Sequence, residues 1–298
     1  MTFSIVARDK RTGQLGVAVQ SHWFSVGSVV SWARSGVGAV ATQAMAEISY
    51  GPIGLELMAS GKSAREALDA LIRVDKKCET RQVAMVDSKG VVATHTGSKC
   101  FPTAGDVQGN EFSCQANLMI NNRIWNEMAK NFRRNSSMEF PERLVAALEA
   151  GQRAGGDIRG KQSAAILVVS KEFSPNTWSG KIIDLRVEDH KDPITELKRL
   201  LRIQRAYEWA NMGDELLTDG KFDKSRRAYE KAHEFAPRIE ELEFWQAVSL
   251  LQSKRIKEAR IIFRKVFRKN KNWIKLLKSL PSVGLLSEDP ELLRAVLA

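Results

Sequence analysis

The chain has 298 residues, of which 43% are hydrophobic, and carries a formal net charge of +11. This length and apolar content predict two folded domains and exclude an extended disordered chain. The sequence has neither a basic, apolar leader nor a run of about 18 apolar residues, so we expect a soluble cytoplasmic protein without a membrane segment. Three cysteines without CxxC spacing predict reduced thiols, and neither a disulfide framework nor a zinc site.

The positive charge is concentrated in residues 254–278, where eleven lysines and arginines accompany a single acidic residue, Glu258. Such a surface can attract nucleic acid, acidic peptides or anionic membranes. No nucleic-acid-binding motif accompanies it. We therefore interpret the segment as a solvated helical surface, and we expect neither nucleic acid nor membrane as a partner.

The first part of the chain is rich in β-branched and small residues, which predicts strands separated by glycine-containing turns. Residues 2–8 and 15–20 are predicted to form a hairpin, because residues 9–13 between them have the composition of a turn. The further predicted strands are residues 37–44, 81–86, 91–96, 112–120, 164–169 and 181–185.

Two helical stretches, residues 52–74 and 123–154, interrupt these strands. Ser63 and Glu66 have the Ser-x-x-Glu spacing of a capping box, so a helix is predicted to begin there. The run Gly61-Lys62-Ser63 is not a phosphate-binding loop, because position 56, where that motif requires glycine, is a glutamate.

After Pro193 the sequence changes to long amphipathic patterns rich in leucine, alanine and charged residues. A unit beginning at Ala206 matches the tetratricopeptide repeat at Trp209, Gly213, Leu216, Gly220, Tyr229, Ala232 and Pro237. A second unit begins 34 residues later, at Glu240, which is the period of that repeat class. We therefore predict two domains: an α/β domain over residues 1–195, and tetratricopeptide-like helical hairpins with a C-terminal capping helix over residues 196–298.

The first domain contains a series of characteristic motifs: TFSIVARD (residues 2–9), GVAVQSHW (16–23), GVGAVATQA (36–44), YGP (50–52), GGDIRGKQSAA (155–165) and DLRVEDH (184–190). Together they resemble the domain-of-unknown-function family 1028, which is grouped with the N-terminal nucleophile (Ntn) hydrolases. The resemblance covers nearly the whole first domain. It implies an α+β fold, a four-layer αββα sandwich of two stacked antiparallel sheets between outer helices, with the nucleophile on the first residue of the first strand.

The second residue has the chemistry that this class of enzyme needs. Thr2 is small enough for methionine aminopeptidase to remove Met1, and the new terminus would then hold a hydroxyl and a free amine together. An α-amine titrates at about pH 7.7–8.0, so part of it is neutral at physiological pH and can accept the hydroxyl proton. We therefore predict Thr2 as the nucleophile once Met1 is removed, although a threonine at this position often has no function.

The next strand departs from the pattern of the proteasome-type hydrolases that this family resembles. Gln20, Ser21 and His22 occupy positions that read Asp-Ser-Arg there, and no lysine lies between Gln20 and Glu47. An amide cannot lower the pKa of a neighbouring amine by charge. We predict that Gln20, Ser21 and Arg34 contact the substrate and that His22 acts as acid or base, with a structural role of His22 as the alternative.

Further site residues follow from the same resemblance. Gln43 is predicted to stabilise an oxyanion and Thr42 to contact the substrate, because their strand supplies the oxyanion hole in related folds; alternatively, they only end the strand. Asp157 and Ser163 lie where related hydrolases hold an acid and a serine against the terminal amine, so both are predicted to be catalytic. The alternative for Asp157 is a glycine-rich turn. Asn117 is predicted to position the substrate.

Two hypotheses on function remain. The first is an N-terminal-threonine amidohydrolase that cleaves a small amide or peptide-like C–N bond through a covalent ester, without a cofactor or a metal. The alternative is a catalytically inactive binding or scaffold protein whose helical hairpins hold a protein partner, which the missing acid and lysine favour. Two repeats are fewer than the roughly three of an independent solenoid, so we also expect a homo-oligomer.

Overall fold

The computed structural model describes residues 2–287 and 289–297, and the chain divides into two compact units, one ending at Leu201 and the other beginning at Arg202. The strands are β1 (Thr2–Arg8), β2 (Leu15–Ser21), β3 (Ser31–Arg34), β4 (Gly38–Ala44), β5 (Arg81–Asp87), β6 (Val92–Thr96), β7 (Gly105–Gly109), β8 (Phe112–Asn117), β9 (Ser163–Val169) and β10 (Lys181–Val187). The helices are α1 (Gly27–Val30), α2 (Tyr50–Ala59), α3 (Ala64–Val74), α4 (Ile124–Arg134), α5 (Phe140–Arg153), α6 (Pro193–Thr218), α7 (Phe222–Phe235), α8 (Glu240–Gln252), α9 (Ile256–Lys269), α10 (Asn272–Ser279) and α11 (Pro290–Leu297).

The first unit contains two antiparallel sheets. The six-stranded sheet has the order β10-β9-β2-β1-β8-β7, and the four-stranded sheet has the order β3-β4-β5-β6. β1 and β2 form the predicted hairpin, in which Thr2 pairs with Ser21. Its turn is fixed by the Asp9 carboxylate, which accepts hydrogen bonds from the backbone N–H and the hydroxyl of Thr12. The prediction of a mixed α/β part with antiparallel sheets, followed by a helical part, is confirmed.

Strand alternation gives the two faces of each sheet different partners. On β1, Phe3 and Ile5 pack with apolar residues of α4, α5 and the start of α6. Val6, on the opposite face, belongs to a second apolar cluster formed by strands of both sheets. A third cluster joins the other face of the four-stranded sheet to α2 and α3. Thr2 and Ser4 alternate with Phe3 and Ile5, so they share the face of Val6 and point towards the four-stranded sheet.

Both predicted helical stretches are interrupted. The first consists of α2 and α3, and Gly61 between them has a φ of +99°, in the left-handed region that glycine tolerates. The predicted capping box is confirmed, because the Ser63 side chain accepts from the N–H of Glu66 while the Glu66 side chain accepts from the N–H of Ser63. The second stretch consists of α4 and α5.

Two short strands were not predicted from the sequence. β3 has only four residues, and β7, at the edge of its sheet, begins and ends with glycine and has no apolar alternation. β8 ends at Asn117, before the predicted end at residue 120, because Leu118 has a φ of +56° that leaves the strand conformation.

The second unit is helical. Helices α7 and α9 each have 14 residues, and they begin at Phe222 and Ile256. Apolar residues of α8, α9 and α10 pack in one cluster that includes Phe244 and Phe263. Gly213 in α6 lies so close to Tyr229 that an added Cβ would come within 2.9 Å of the ring. Among the helices within residues 2–287 and 289–297, none is long and apolar enough to cross a membrane.

Replacing Ser63 by alanine removes the capping box, so Ser63→Ala is expected to lower the free energy of unfolding by about 1 kcal/mol. The matched control is Ser60→Ala, because Ser60 is exposed and its hydroxyl donates only to a carbonyl of its own helix. We expect the control to stay within about 0.5 kcal/mol of the unsubstituted protein in urea denaturation at pH 7. Equal losses in the two variants would contradict the capping assignment.

Candidate active site

Four polar residues form a row across the end of the six-stranded sheet. Asn117 pairs with Thr2, Thr2 with Ser21, and Ser21 with Ser163, so the row runs through β8, β1, β2 and β9. Directly paired residues of antiparallel strands carry their side chains on the same face. All four were predicted as site residues, and the strand register brings them together.

The Thr2 side chain is part of the lining of a cavity. Its Oγ1 donates a hydrogen bond to Ser21 Oγ at 3.1 Å, and its backbone carbonyl accepts one from Gln43 Nε2 at 3.3 Å. Thr2, Ser21 and Gln43 form the neutral polar part of the lining of this cavity, which has a volume of about 400 Å³. The hydroxyls of Thr2 and Ser21 and the amide of Gln43 therefore lie together at one cavity.

Two loops complete the cavity. The first loop, residues 22–30 between β2 and β3, includes the single-turn helix α1 and contributes Trp23, Val26, Val29 and Val30. The second loop, residues 44–49 from the end of β4 to α2, contributes residues 44–46. Ala44 has a φ of +69°, a left-handed conformation that is uncommon for a residue with a Cβ. Backbone strain of this kind often occurs at functional sites, where the surrounding structure maintains it.

A buried network of neutral side chains lies behind Thr2, and Gln82 is at its centre. Gln82 Oε1 accepts hydrogen bonds from Gln43 Nε2 at 2.7 Å and from Asn117 Nδ2 at 2.9 Å. Gln82 Nε2 donates to the backbone carbonyl of Ala116 and to Thr96 Oγ1, both at 3.0 Å. Because Gln82 and Gln43 lie on the four-stranded sheet while Asn117 and Ala116 lie on the six-stranded one, the network ties the two sheets together.

The second part of the network fixes the carboxamide of Gln43. Its Oε1 accepts from Ser4 Oγ at 2.7 Å, and Ser4 Oγ in turn accepts from Gln115 Nε2 at 2.6 Å. Gln43 Nε2 has two hydrogens, and these are directed at the Thr2 carbonyl and at Gln82 Oε1. The geometry therefore favours Gln43 as the residue that positions Thr2 and gives it no free N–H for a substrate oxyanion.

Arg81 is the charged residue of the cavity lining, and sequence analysis did not identify it. Its Nε donates to Asp75 Oδ2 at 2.9 Å, its Nη1 donates to the Met45 carbonyl, and its Nη2 lies 3.8 Å from Glu47 Oε2. The hydrogen bond from Arg81 lowers the pKa of Asp75, although partial burial acts in the opposite direction. Arg81 is thus neutralised by acidic residues and also anchors the second loop.

Two other predicted residues hold the loops. Ser163 Oγ donates to the carbonyl of Trp23 and accepts from the N–H of Val26 at 3.1 Å, so it fixes the first loop. Thr42 Oγ1 donates to the carbonyl of Glu47 at 3.0 Å, which fixes the second loop.

Asp157 and His22 meet where β2 ends. Asp157 Oδ2 accepts from the backbone N–H of His22 at 3.2 Å and from Arg159 Nη2 at 2.8 Å. Neither Asp157 nor His22 is among the described residues that line the cavity. Their bonds support the alternative interpretation of a structural turn.

Gln20 and Arg34 are separated from Thr2. Gln20 is adjacent to Ser21 in β2, so its side chain points to the opposite face of the sheet, where both of its amide atoms have no hydrogen-bond partner within the described part of the chain. Arg34 pairs with Gly38, five residues along β4 from Gln43 and therefore about 17 Å away. It donates to the carbonyl of Pro175 instead.

In residues 2–287 and 289–297, no three histidine, cysteine, aspartate or glutamate side chains are grouped as metal ligands.

Comparison with known proteins places the first unit in a defined family. Residues 2–197 match the family described as "Family of unknown function (DUF1028)". A crystal structure of a DUF1028 protein, SPO2555 from Silicibacter pomeroyi, is similar at 30% sequence identity and a TM-score of 0.60, over 67% of this chain and 88% of that one. No match was found among curated proteins. The chain belongs to the DUF1028 family, whose function is unknown.

Gln82→Leu is expected to lower the free energy of unfolding by at least about 2 kcal/mol, because it removes the hydrogen bonds that Gln82 makes with buried groups of Gln43, Asn117 and Ala116. The control is Gln108→Leu, since Gln108 is exposed and its side chain donates a peripheral hydrogen bond to Thr94. It should change stability by less than about 0.5 kcal/mol in the same urea titration. A Gln82→Leu protein as stable as the control would refute the role of the network.

The Asp75–Arg81 pair predicts a pH dependence of stability. The folded-state pKa of Asp75 is lowered, so its contribution is complete above the ordinary carboxyl pKa of about 3.9 and is lost as pH falls through the folded-state value. The stability difference between the unsubstituted protein and Asp75→Asn should therefore be largest near pH 6–7 and shrink towards pH 3. The exposed carboxylate of Asp69 provides the control, and Asp69→Asn should show a smaller, flatter difference. A difference for Asp75→Asn that does not change with pH would contradict the assignment.

Proposed function

We propose that this chain, once Met1 is removed, is an N-terminal-threonine hydrolase of small amide or peptide-like C–N bonds. The observation that carries the proposal is the position of Thr2, whose hydroxyl is at a cavity and bonded to Ser21 Oγ at 3.1 Å. Loss of Met1 would place the α-amine on the same residue. Membership of DUF1028 does not itself imply a reaction.

The chemistry of the proposal uses one residue as nucleophile and base. The neutral α-amine of Thr2 accepts the hydroxyl proton, directly or through Ser21 Oγ or a water, while Oγ1 bonds to the carbonyl carbon of the amide. Collapse of the tetrahedral intermediate breaks the C–N bond, and the proton passes to the leaving nitrogen. Water then attacks the ester on Thr2 and releases the acid, which restores the hydroxyl.

In this proposal, most of the remaining predicted residues hold the site in place and take no part in the chemistry. Gln43 and Asn117 orient the start of β1, Ser163 and Thr42 hold the loops, and Asp157 fixes the chain after Ser21. Because both Gln43 Nε2 hydrogens are already used, and the N–H of Met45 donates to the Thr80 carbonyl, we assign the oxyanion to the backbone N–H groups of Ala44 and Ala46. His22 is left without a chemical role in the proposal.

We also propose the finer fold assignments. An Ntn-type αββα sandwich over residues 1–195 is supported by three apolar clusters that join helices to the six-stranded sheet, the two sheets to each other, and the four-stranded sheet to α2 and α3. A tetratricopeptide pair over residues 196–298 is supported by α7 and α9, which are equally long and begin 34 residues apart, at Phe222 and Ile256.

One observation favours a second function. The cavity lining contains one charged side chain, Arg81, and this residue is neutralised by Asp75, so no charged group of the described lining is available to activate Thr2. The alternative is a binding or scaffold protein whose helical pair holds a protein partner or a second copy of the chain. In that case Thr2 would only help to pack the end of the six-stranded sheet.

The test compares chains that differ only at the N-terminus. Ubiquitin fused directly before Thr2, or before Met1, releases a chain that begins at either residue. We expect amide hydrolysis from the Thr2-terminated chain alone, a loss of at least about 10³-fold in kcat/KM for Thr2→Ala, and partial retention for Thr2→Ser. The exposed Thr218 gives the control Thr218→Ala, which should keep full activity. Equal turnover by both termini would rule out the proposed base.

The pH profile is a separate test. Because the amine acts as base only when neutral, kcat/KM should rise with pH through about 7.7–8.0 and fall as the amine is protonated below that range. A profile flat between pH 6 and 9 would contradict a role of the amine.

A further inference from the structure

We infer that the cavity beside Thr2 selects amides whose acyl group carries an uncharged, apolar side chain. The inference that such amides are hydrolysed rests on the proposed function. The inference that the cavity binds apolar acyl groups more tightly than charged ones does not. Three properties of the cavity lead to it: its two loops are apolar, Arg81 is paired with carboxylates, and its neutral polar groups are already hydrogen-bonded.

The loops present apolar surface to the cavity. Val26 and Val30 are almost fully buried, Val29 is partly buried, and all three lie on the first loop beside Trp23. Trp23 and Met45, one from each loop, remain 56% and 51% exposed although they are large and apolar. Exposed apolar side chains around a cavity of a few hundred Å³ are typical of a site whose ligand covers them.

The single cationic group of the described lining does not favour an acidic ligand. Arg81 already has Asp75 at 2.9 Å and Glu47 at 3.8 Å, so a ligand carboxylate would have to compete with two fixed carboxylates. An ammonium group would meet Arg81 without a carboxylate in the lining to pair with it. Either charge would lose its hydration without a compensating partner.

The neutral polar groups of the lining are already hydrogen-bonded within the protein. Thr2 Oγ1 donates to Ser21, and both Gln43 Nε2 hydrogens have acceptors. Because these polar groups lie at Thr2 and are already bonded, the part of a ligand remote from Thr2 gains mainly by removing apolar surface from water. The preference should thus follow the size and polarity of the acyl side chain.

The first experiment measures binding on the full chain that begins at Thr2 and carries Thr2→Ala to prevent turnover. N-acetyl amides of leucine, phenylalanine, glutamate and lysine are titrated while the ¹⁵N indole resonance of Trp23, assigned with Trp23→Phe, is followed. We expect the leucine and phenylalanine amides to shift this resonance with at least about ten-fold lower Kd than the charged amides. Equal or tighter binding of a charged amide, or no shift with any amide, would overturn the inference.

A charge placed in the lining provides the second experiment. Val29→Lys puts a cation at a partly buried position and should reverse the preference towards the glutamate amide. Val74→Lys is the matched control, because Val74 lies at the end of α3 with 76% exposure and is not among the lining residues. An unchanged preference in folded Val29→Lys would contradict the placement of the acyl side chain against the first loop.

Turnover separates this inference from the proposed function. The Thr2-terminated chain is given the same four acyl groups as fluorogenic anilides. Hydrolysis with a preference for charged acyl groups would overturn the inference and leave the hydrolase proposal intact. Apolar binding at Trp23 without hydrolysis of any anilide would overturn the hydrolase proposal and leave the inference intact.

Discussion

The hydrogen bond from Gln43 Nε2 to the Thr2 carbonyl is the contact on which the rest of the site depends. It joins the end of β4, in the four-stranded sheet, to the first residue of β1, in the six-stranded sheet. Bonds to Ser4 and Gln82 hold the other polar atoms of the Gln43 carboxamide in place. The bond fixes the backbone of Thr2, and the hydrogen bond from Thr2 Oγ1 to Ser21 Oγ orients its hydroxyl. The placement of the proposed nucleophile thus depends on a network of neutral side chains, most of which lie behind the cavity lining.

The space between the two sheets is apolar at one end and polar at the other. At one end it is filled by valines and alanines, and at the end near Thr2 by glutamines, an asparagine and serines that are almost fully buried. Buried amides are stabilising only when nearly every donor and acceptor has a partner, so this end tolerates few arrangements of the two sheets. The apolar end supplies the driving force for stacking, and the polar end selects one register.

Individual residues of the site could be predicted from the sequence more readily than the contacts between them. Thr2, Ser21, Asn117 and Ser163 were recognised one by one, but only long-range strand pairing aligns them. Gln20 was assigned to the site beside Ser21, although alternation along a strand puts adjacent residues on opposite faces. Gln82 and Arg81 gave no signal, because a polar pair at the start of a strand is common, and their partners lie far away in the chain. The direction of β4, which separates Arg34 from Gln43, could not be read from local composition.

The hydrolase proposal requires Thr2 to be the first residue of the mature chain and a reactive nucleophile. The most direct test is intact-mass analysis and peptide mapping of the protein purified from cells, before and after treatment with a β-lactone that acylates N-terminal threonine. We expect loss of Met1 and a single adduct on Thr2 Oγ1 that is absent in Thr2→Ala. A protein that retains Met1 and forms no adduct at Thr2 would contradict the hydrolase proposal.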